Sequence, residues 1–253
     1  MPTFPSNHVS LVTGASTGIG AATAISLAQS GSTIAVHFNR SESEAKRVVD
    51  QIANIGGKAS VFQADLACPL GPVQLIEKVI NYYGQVDLLV NNAGSMIGRR
   101  TLLEITDEFW DQVFATNVSS VIRMIRATVP SMIFRGSGVI INVSSVAARN
   151  GGGPGVIAYA SAKGAVLTMT KGVAKELIGQ GIRVNAVNPG VITTPFHEQF
   201  STEQQMNKMI ANIPQGRPGS AEEIASVITF LASDSASHIV GEAIEINGGM
   251  WMD

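Results

Sequence analysis

Cysteine is almost missing from this sequence, with Cys68 the only one in the chain. A disulfide framework within the chain is therefore excluded, and the lone thiol is expected to be a small core or loop residue. Charge is scarce as well, at 14%, which suggests that some apolar surface is covered by other subunits. The 17 basic and 19 acidic residues leave a formal net charge of −2. No basic field exists to attract nucleic acid or anionic lipid, so neither is expected as a partner. No stretch approaches the roughly 20 apolar residues of a membrane span. The opening MPTFPSNHVS lacks the regions of a signal peptide, and a cytoplasmic location is expected. His8, His37, His197 and His238 match no metal-ligand spacing, so no metal site is expected.

What the chain does have is apolar sequence in short pieces. Hydrophobic residues make up 45%, enough for one substantial core. The runs begin at Val9, Ser32, Ala59, Val86, Gly138, Arg183 and Ala243. Most are continuous rather than alternating, as strands covered on both faces require. Between them lie amphipathic helical stripes, among them Val73, Ile76, Val79, Ile80 and Tyr83, and Ile224, Val227, Ile228 and Leu231. Ser220 and Glu223 have the spacing of a capping box before the second stripe. Strand–helix alternation of this kind predicts an α/β fold: a Rossmann-type, doubly wound parallel sheet of about seven strands with helices on both faces. No linker or repeat divides the chain, so residues 1–253 are expected to form one domain. Residues 191–214, long and carrying Pro195 and Pro214, are expected to be a lid over a site.

The first strand runs into Thr13-Gly14-Ala15-Ser16-Thr17-Gly18-Ile19-Gly20 and then a helical segment. Glycines there permit a tight turn, approach of a pyrophosphate to a helix N-terminus, and close helix–strand packing. The spacing is G-x3-G-x-G, and glycines also serve plain turns. Its place after the first strand of an alternating fold favours dinucleotide binding. An NAD enzyme usually places an acid at the end of the second strand to hold the adenosine ribose. Here the chain reads His37-Phe38-Asn39-Arg40-Ser41, with no acid before Glu42. Arg40 offers a fork suited to a 2′-phosphate, although it also reads as a solvated charge at a loop start. NADPH/NADP is expected rather than NAD. Asp65 reads either as an acceptor for the adenine amino group or as a helix cap before Pro69.

Tyr159 and Lys163 stand at i and i+4, one turn apart on one helix face. A free phenol titrates near 10, and a cation a few Å away favours the phenolate. Such a phenol can protonate an alkoxide as hydride reaches a carbonyl carbon, or accept the proton in reverse. Ser144 and Ser145 end the preceding strand, at the edge where parallel sheets bind ligands. Asn117 lies in a helical pattern, where asparagine is an indifferent helix former; it reads either as solvent-facing or as a holder of a water beside Lys163.

In order along the chain, TGASTGIG, Asp65-Leu66, Asn91-Asn92-Ala93-Gly94, Asn117, the serine strand, Tyr-x3-Lys, Pro189-Gly190 and the closing Gly248-Gly249 closely resemble the short-chain dehydrogenase/reductase family. The resemblance, nearest to 3-oxoacyl-carrier-protein reductases and related carbonyl reductases, implies a tetrad of Asn117, Ser145, Tyr159 and Lys163. It implies that the serine polarises the carbonyl and the tyrosine donates the proton. It implies further that the lysine binds the nicotinamide ribose and lowers the tyrosine pKa, while the asparagine anchors a relay water. Cofactor contacts are then expected from Gly14, Ser16, Thr17, Gly18, Ile19, Gly20, Asn39, Arg40, Asp65, Leu66, Asn92, Ala93, Gly94, Tyr159, Lys163, Pro189, Gly190, Ile192 and Thr194. A homotetramer is implied too, and burial of the C-terminal GGMWMD would fit it. Ser145 precedes Tyr159 by one position more than is usual in that family. The extra residue falls in Gly151–Gly155, expected to be a looser loop beside the substrate.

The leading expectation is NADPH-dependent reduction of a ketone or aldehyde with Tyr159 as general acid/base. Competing readings are an NAD-dependent secondary-alcohol or sugar dehydrogenase, and a redox-inactive nucleotide-sensing protein on the same fold. A carrier-protein reductase needs a basic patch; Arg99, Arg100, Arg123, Arg126 and Arg135 are its candidates, though scattered arginines usually just solvate a face. Met96, Val146, Ile157, Phe196, Phe200, Met206 and Met209 are expected to line the pocket. With no obvious carboxylate fork among them, uncharged ketones are expected.

Overall fold

Every strand is a short apolar run whose alternate residues enter opposite layers. The computed structural model describes residues 2–252, the side chains of His197 and Glu198 excepted. Its strands are β1 (Val9–Val12), β2 (Thr33–Phe38), β3 (Ala59–Gln63), β4 (Leu88–Asn91), β5 (Gly138–Val143), β6 (Ile182–Pro189) and β7 (Ala243–Ile246). Between them run α1 (Gly18–Gln29), α2 (Glu42–Asn54), α3 (Gly71–Tyr83), α4 (Asp107–Phe114), α5 (Ser120–Arg135), α6 (Ala147–Asn150) and α7 (Ile157–Leu177). After β6 come α8 (Pro195–Phe200), α9 (Glu203–Ala211) and α10 (Ala221–Ala232).

The strands form one sheet in the order β3-β2-β1-β4-β5-β6-β7, and every neighbouring pair is parallel. Val12, Val36, Leu88, Val90, Ile141 and Val187 pack with Leu27, Ile52, Ile224, Ile228 and Leu231 in one layer. Leu11, Ala35, Leu89, Ile140 and Val184 pack with Leu75, Val79, Met124, Val166 and Leu177 in the other. That division explains the continuous apolar runs: both faces of the inner strands are covered, and each buried Leu or Ile is worth roughly 1.5–3 kcal/mol. Helix ends follow local chemistry. Gly84 ends α3 and Gly136 ends α5, both left-handed, at φ 87° and 67°. Ser220 and Glu223 cap α10 reciprocally, as their spacing predicts.

Parallel strands put all their C-terminal ends along one edge. The strand order reverses between β1 and β4, which opens a crevice at that edge. The expected lid segment folds as α8 and α9, and Cys68 is exposed in the loop before α3. No helix among the described residues is long and apolar enough to cross a membrane.

Candidate active site

The glycine turn after β1 is held from below. Gly14 takes φ 62° and donates its N–H to Nδ1 of His37 at 3.0 Å. Ala15 donates to the His37 carbonyl at 2.8 Å, and the other ring nitrogen of His37 reaches the Ala64 carbonyl at 3.1 Å. The ring is thus neutral, with its proton on Nε2, and burial pushes its pKa down to about 4. Sequence reasoning missed this residue: its role depends on three strand ends meeting, and its only signal was a polar ring at the last turn of an apolar run.

The same bonds decide which donors remain for an anion. Gly14 and Ala15 have spent their N–H groups on His37, so the donors left for an anion are the amides from Ser16 onward. Helix α1 has no side-chain cap and no acid in its first turn. An uncapped, acid-free helix start following a glycine turn fits a pyrophosphate. A Cβ on Gly20 would lie 2.3 Å from the Gly14 carbonyl, so the turn closes only with glycine there. Asn92 clamps the turn from β4, its amide donating to the Thr13 and Gly14 carbonyls at 2.8 and 3.1 Å. The Asn92 and Ala93 N–H groups both donate to the Thr13 hydroxyl at 2.9 Å. Thr194 stands beside Gly18 across the crevice. Pro189 ends β6 and Gly190 follows it, its N–H donating to the Ile246 carbonyl.

Asn39 and Arg40 are exposed. Arg40 enters no ion pair among the described residues. Asp65 is exposed and accepts from the Ala67 N–H at 3.0 Å, a local turn close to the capping alternative, while Leu66 is buried. Ile19 packs against the first core layer.

The proton-handling residues meet at the ends of β4, β5 and α7. The two serines separate clearly. The Ser144 hydroxyl is buried and donates to the Lys163 carbonyl at 2.8 Å, whereas the Ser145 hydroxyl accepts from the Ala147 N–H at 3.1 Å and lies near enough to the Tyr159 phenol to oppose the rise in its pKa. Lys163 is buried, donates from Nζ to the Val143 carbonyl at 2.7 Å, and sits 5.7 Å from the Tyr159 ring centre. Burial pushes its pKa down to about 8. The expectation that Lys163 lowers the tyrosine pKa is not met in this arrangement. Burial pushes Tyr159 up to about 12, against a smaller opposing effect of the Ser145 hydroxyl. The lysine's own charge is weakened by burial and directed at a carbonyl, so desolvation wins.

Asn117 is fully buried within a single π turn, Ala115–Ser119, a break in helix pattern common at functional sites. Its amide donates to the Ser95 and Val113 carbonyls at 2.8 Å each, and its oxygen accepts from Ser95 N–H at 3.0 Å. The solvent-facing alternative is therefore wrong, and its side chain serves the loop after Gly94. A Cβ on Gly94 would meet the Asn117 oxygen at 2.7 Å and Lys163 Nζ at 3.3 Å, so these groups pack against that glycine.

Over the phenol lies an aromatic cover. Met96, Ala147, Val156 and Ala160 cluster with Tyr159, Phe196 and Phe200; the Phe196 ring is 5.8 Å from that of Tyr159 and 5.1 Å from Phe200. Of the expected lining, Val146 is buried, Ile157 is largely exposed and Met206 and Met209 lie outside this cluster. The Gly151–Gly155 loop is pinned, not loose. Arg99 donates to the Pro154 carbonyl at 3.2 Å, and Arg100 N–H to Gly155 at 3.1 Å. Of the arginines proposed as a patch, Arg100 lies over Phe109, Arg123 bonds the Ala67 carbonyl, Arg135 meets Asp87 and Val86, and Arg126 is exposed. A hollow of about 530 Å³ beside β3, lined by Val49, Val61, Phe62 and Tyr82, contains none of these site residues.

A family model described as enoyl-(acyl carrier protein) reductase matches residues 14–251. The 3-oxoacyl-[acyl-carrier-protein] reductase FabG of Staphylococcus aureus is 39% identical over 242 residues, 96% of this chain and 97% of the relative. The chain belongs to the short-chain dehydrogenase/reductase family. This family member is accordingly an NAD(P)-dependent oxidoreductase. The Thermotoga maritima FabG is 41% identical over 243 residues, with 96% and 97% of the two chains covered. Among solved structures, one from Beutenbergia cavernae, named as an NAD(P)-dependent gluconate 5-dehydrogenase with NADP bound at low occupancy, superposes at TM-score 0.91 and 33% identity over 99% of both chains. The NADH-dependent reductase A1-R′ of alginate metabolism superposes at TM-score 0.90 and 29% identity, over 97% of this chain and 98% of its own.

Proposed function

We propose that the protein reduces a ketone or aldehyde with NADPH, with Tyr159 as the proton donor and Asn117, Ser145 and Lys163 as the rest of its catalytic group. The observation that carries this reading is the grouping of Ser145 and Tyr159 hydroxyls beside a buried Lys163 at the strand-end edge. When bound, the nicotinamide supplies the hydride. The chain's own residues do the rest. The Ser145 hydroxyl is placed to hold the carbonyl oxygen, and Tyr159, held protonated by burial, gives that oxygen its proton. Lys163, buried beside the phenol ring with its Nζ on the Val143 carbonyl, is assigned to the nicotinamide ribose. Asn117 fixes the Ser95 loop against the lysine and is assigned the relay position beside it.

Preference for NADPH rests on Arg40, exposed and free of any acid partner among the described residues, and on the absence of an acid at Phe38–Ser41. The NADP held by the Beutenbergia structure agrees. Residues 191–214 act as the lid of one 1–253 domain in a cytoplasmic homotetramer. Exposed Ile133, Phe134, Ile178 and Met252 are apolar surface suited to subunit contacts. A sugar dehydrogenase is the second reading, favoured by the similarity to the gluconate 5-dehydrogenase structure. Initial rates on a panel of ketones, aldehydes and sugar acids, with NADPH and NADH in parallel, test all of this. Equal efficiency with NADH would overturn the role given to Arg40, and turnover confined to alcohols with NAD would establish the second reading.

A further inference from the structure

The lid is fastened by one side chain that belongs to neither the lid nor the proton-handling group. Arg99 donates Nε to the Phe200 carbonyl, the last residue of α8, at 2.9 Å. It also donates Nη1 to the Pro154 carbonyl, in the loop facing the lid, at 3.2 Å. The Phe200 ring packs at a tilt against Phe196, which covers Tyr159, and Met96, three residues before Arg99, belongs to the same cluster. The guanidinium is thus at the rim of the substrate space, one aromatic layer from the phenol.

Two features set it apart from a surface arginine. It is half-buried, yet no carboxylate pairs with it among the described residues. Two neutral carbonyls use two of its five N–H donors, and a partly desolvated guanidinium holds a carboxylate or phosphate more strongly than a carbonyl. The backbone that aims it is also unusual. Ile97 takes φ 65°, the only non-glycine at positive φ among the described residues, a strained conformation for a β-branched residue. On the other side Gly155, at φ 77°, approaches so closely that a Cβ would lie 3.0 Å from Arg99 Cβ. A strained turn and a glycine contact together fix the arginine between lid and loop.

We propose that Arg99 is the specificity-determining residue of this site, binding an anionic group on the substrate, carboxylate or phosphate, and closing the lid over it. The proposal rests on the carbonyl-reduction reading and replaces the expectation of uncharged ketones.

The test compares matched pairs differing only in charge. One arm uses oxo acids from 3-oxobutanoate to 6-oxoheptanoate and their methyl esters. The other uses the 3-oxobutanoyl thioesters of phosphopantetheine and of pantetheine. Arg99→Ala is expected to lower the acid-to-neutral ratio of kcat/KM at least tenfold in one arm, with Arg99→Lys intermediate. The arm that responds identifies carboxylate or phosphate. Equal losses on both members of every pair would make Arg99 a mere fastener, and unchanged ratios would likewise overturn the proposal. If no compound of either kind is reduced, carbonyl reduction itself fails. Calorimetric binding of the same pairs to NADP-loaded protein then still decides Arg99: a preference for the anion that Arg99→Ala removes supports the proposal, and its absence overturns it.

Discussion

Around Gly14 the contacts are polar and directed at the main chain: an imidazole, an asparagine amide and a threonine hydroxyl each hold a named amide or carbonyl. Around Tyr159 the cover is made of rings and one guanidinium. Directed hydrogen bonds specify a single geometry, whereas ring contacts such as those of Phe196 and Phe200 fix no single register. The nucleotide end of the crevice is therefore built once, during folding. If residues 191–214 act as the proposed lid, the substrate end is the part that has to be remade at each turnover.

The largest effect expected from breaking this division is chemical. Tyr159→Phe should lower kcat by about a thousandfold, within the usual range for general acid catalysis. NADPH affinity measured by fluorescence titration should stay within a few-fold, because the glycine turn is untouched. Activity near wild type would end the proposed mechanism.

Gly20→Ala attacks the other half. Its Cβ would sit 2.3 Å from the Gly14 carbonyl, and relief requires backbone movement costing about 1–3 kcal/mol. A lower Tm together with at least tenfold weaker NADPH binding is expected; a variant that binds normally would show the turn to be looser than described.

His37→Phe keeps a ring but orphans the Gly14 N–H and the Ala64 carbonyl, at about 1–3 kcal/mol each. The acid response sharpens this prediction. Folded His37 titrates at about 4, below the usual 6.5, so between these values the unfolded chain binds more protons. Its contribution is full above about pH 6.5 and is lost as pH falls through about 4, up to roughly 3 kcal/mol. Denaturant unfolding between pH 7 and 4 should show a shallower decline in the variant than in the wild type.

The smallest effect belongs to the lid. Phe196→Ala uncovers the phenol, and its pKa should fall from about 12 toward 10. Reduction needs the protonated phenol, so the alkaline limb of kcat should move down, by no more than about 2 units. An unmoved limb would show that burial beneath Phe196 does not set the tyrosine's acidity.

The sheet was legible because the inner strands bury both faces, and continuous apolar runs such as that from Val86 report this directly. Tyr159 and Lys163 were legible because one helical turn places them together whatever surrounds them. Ser145 stands out from Ser144 only through the family resemblance: the residues alone do not separate two adjacent serines just past β5, and the position of α7 sets which one neighbours the phenol. The role of His37, and the partners of Asn117 and Arg99, were illegible for a related reason. Each acts by bonding main-chain atoms of a distant segment, and such partners leave no mark in residue identity. The tyrosine pKa was misjudged because the cation was visible in sequence while the desolvation was not.

Helix α9 begins with a reciprocal cap, Thr202 accepting from Gln205 N–H at 3.2 Å and donating its own N–H to the Gln205 side chain at 2.9 Å. A helix secured at its own start has no need of the site beneath it to stay wound. If residues 191–214 open as proposed, α9 travels as a stiff rod, and its backbone gains almost no conformational freedom on leaving. The entropy that usually favours an open loop, about 1–2 kcal/mol per residue released, is then largely withheld. Closure is correspondingly cheap, and a single guanidinium can decide it.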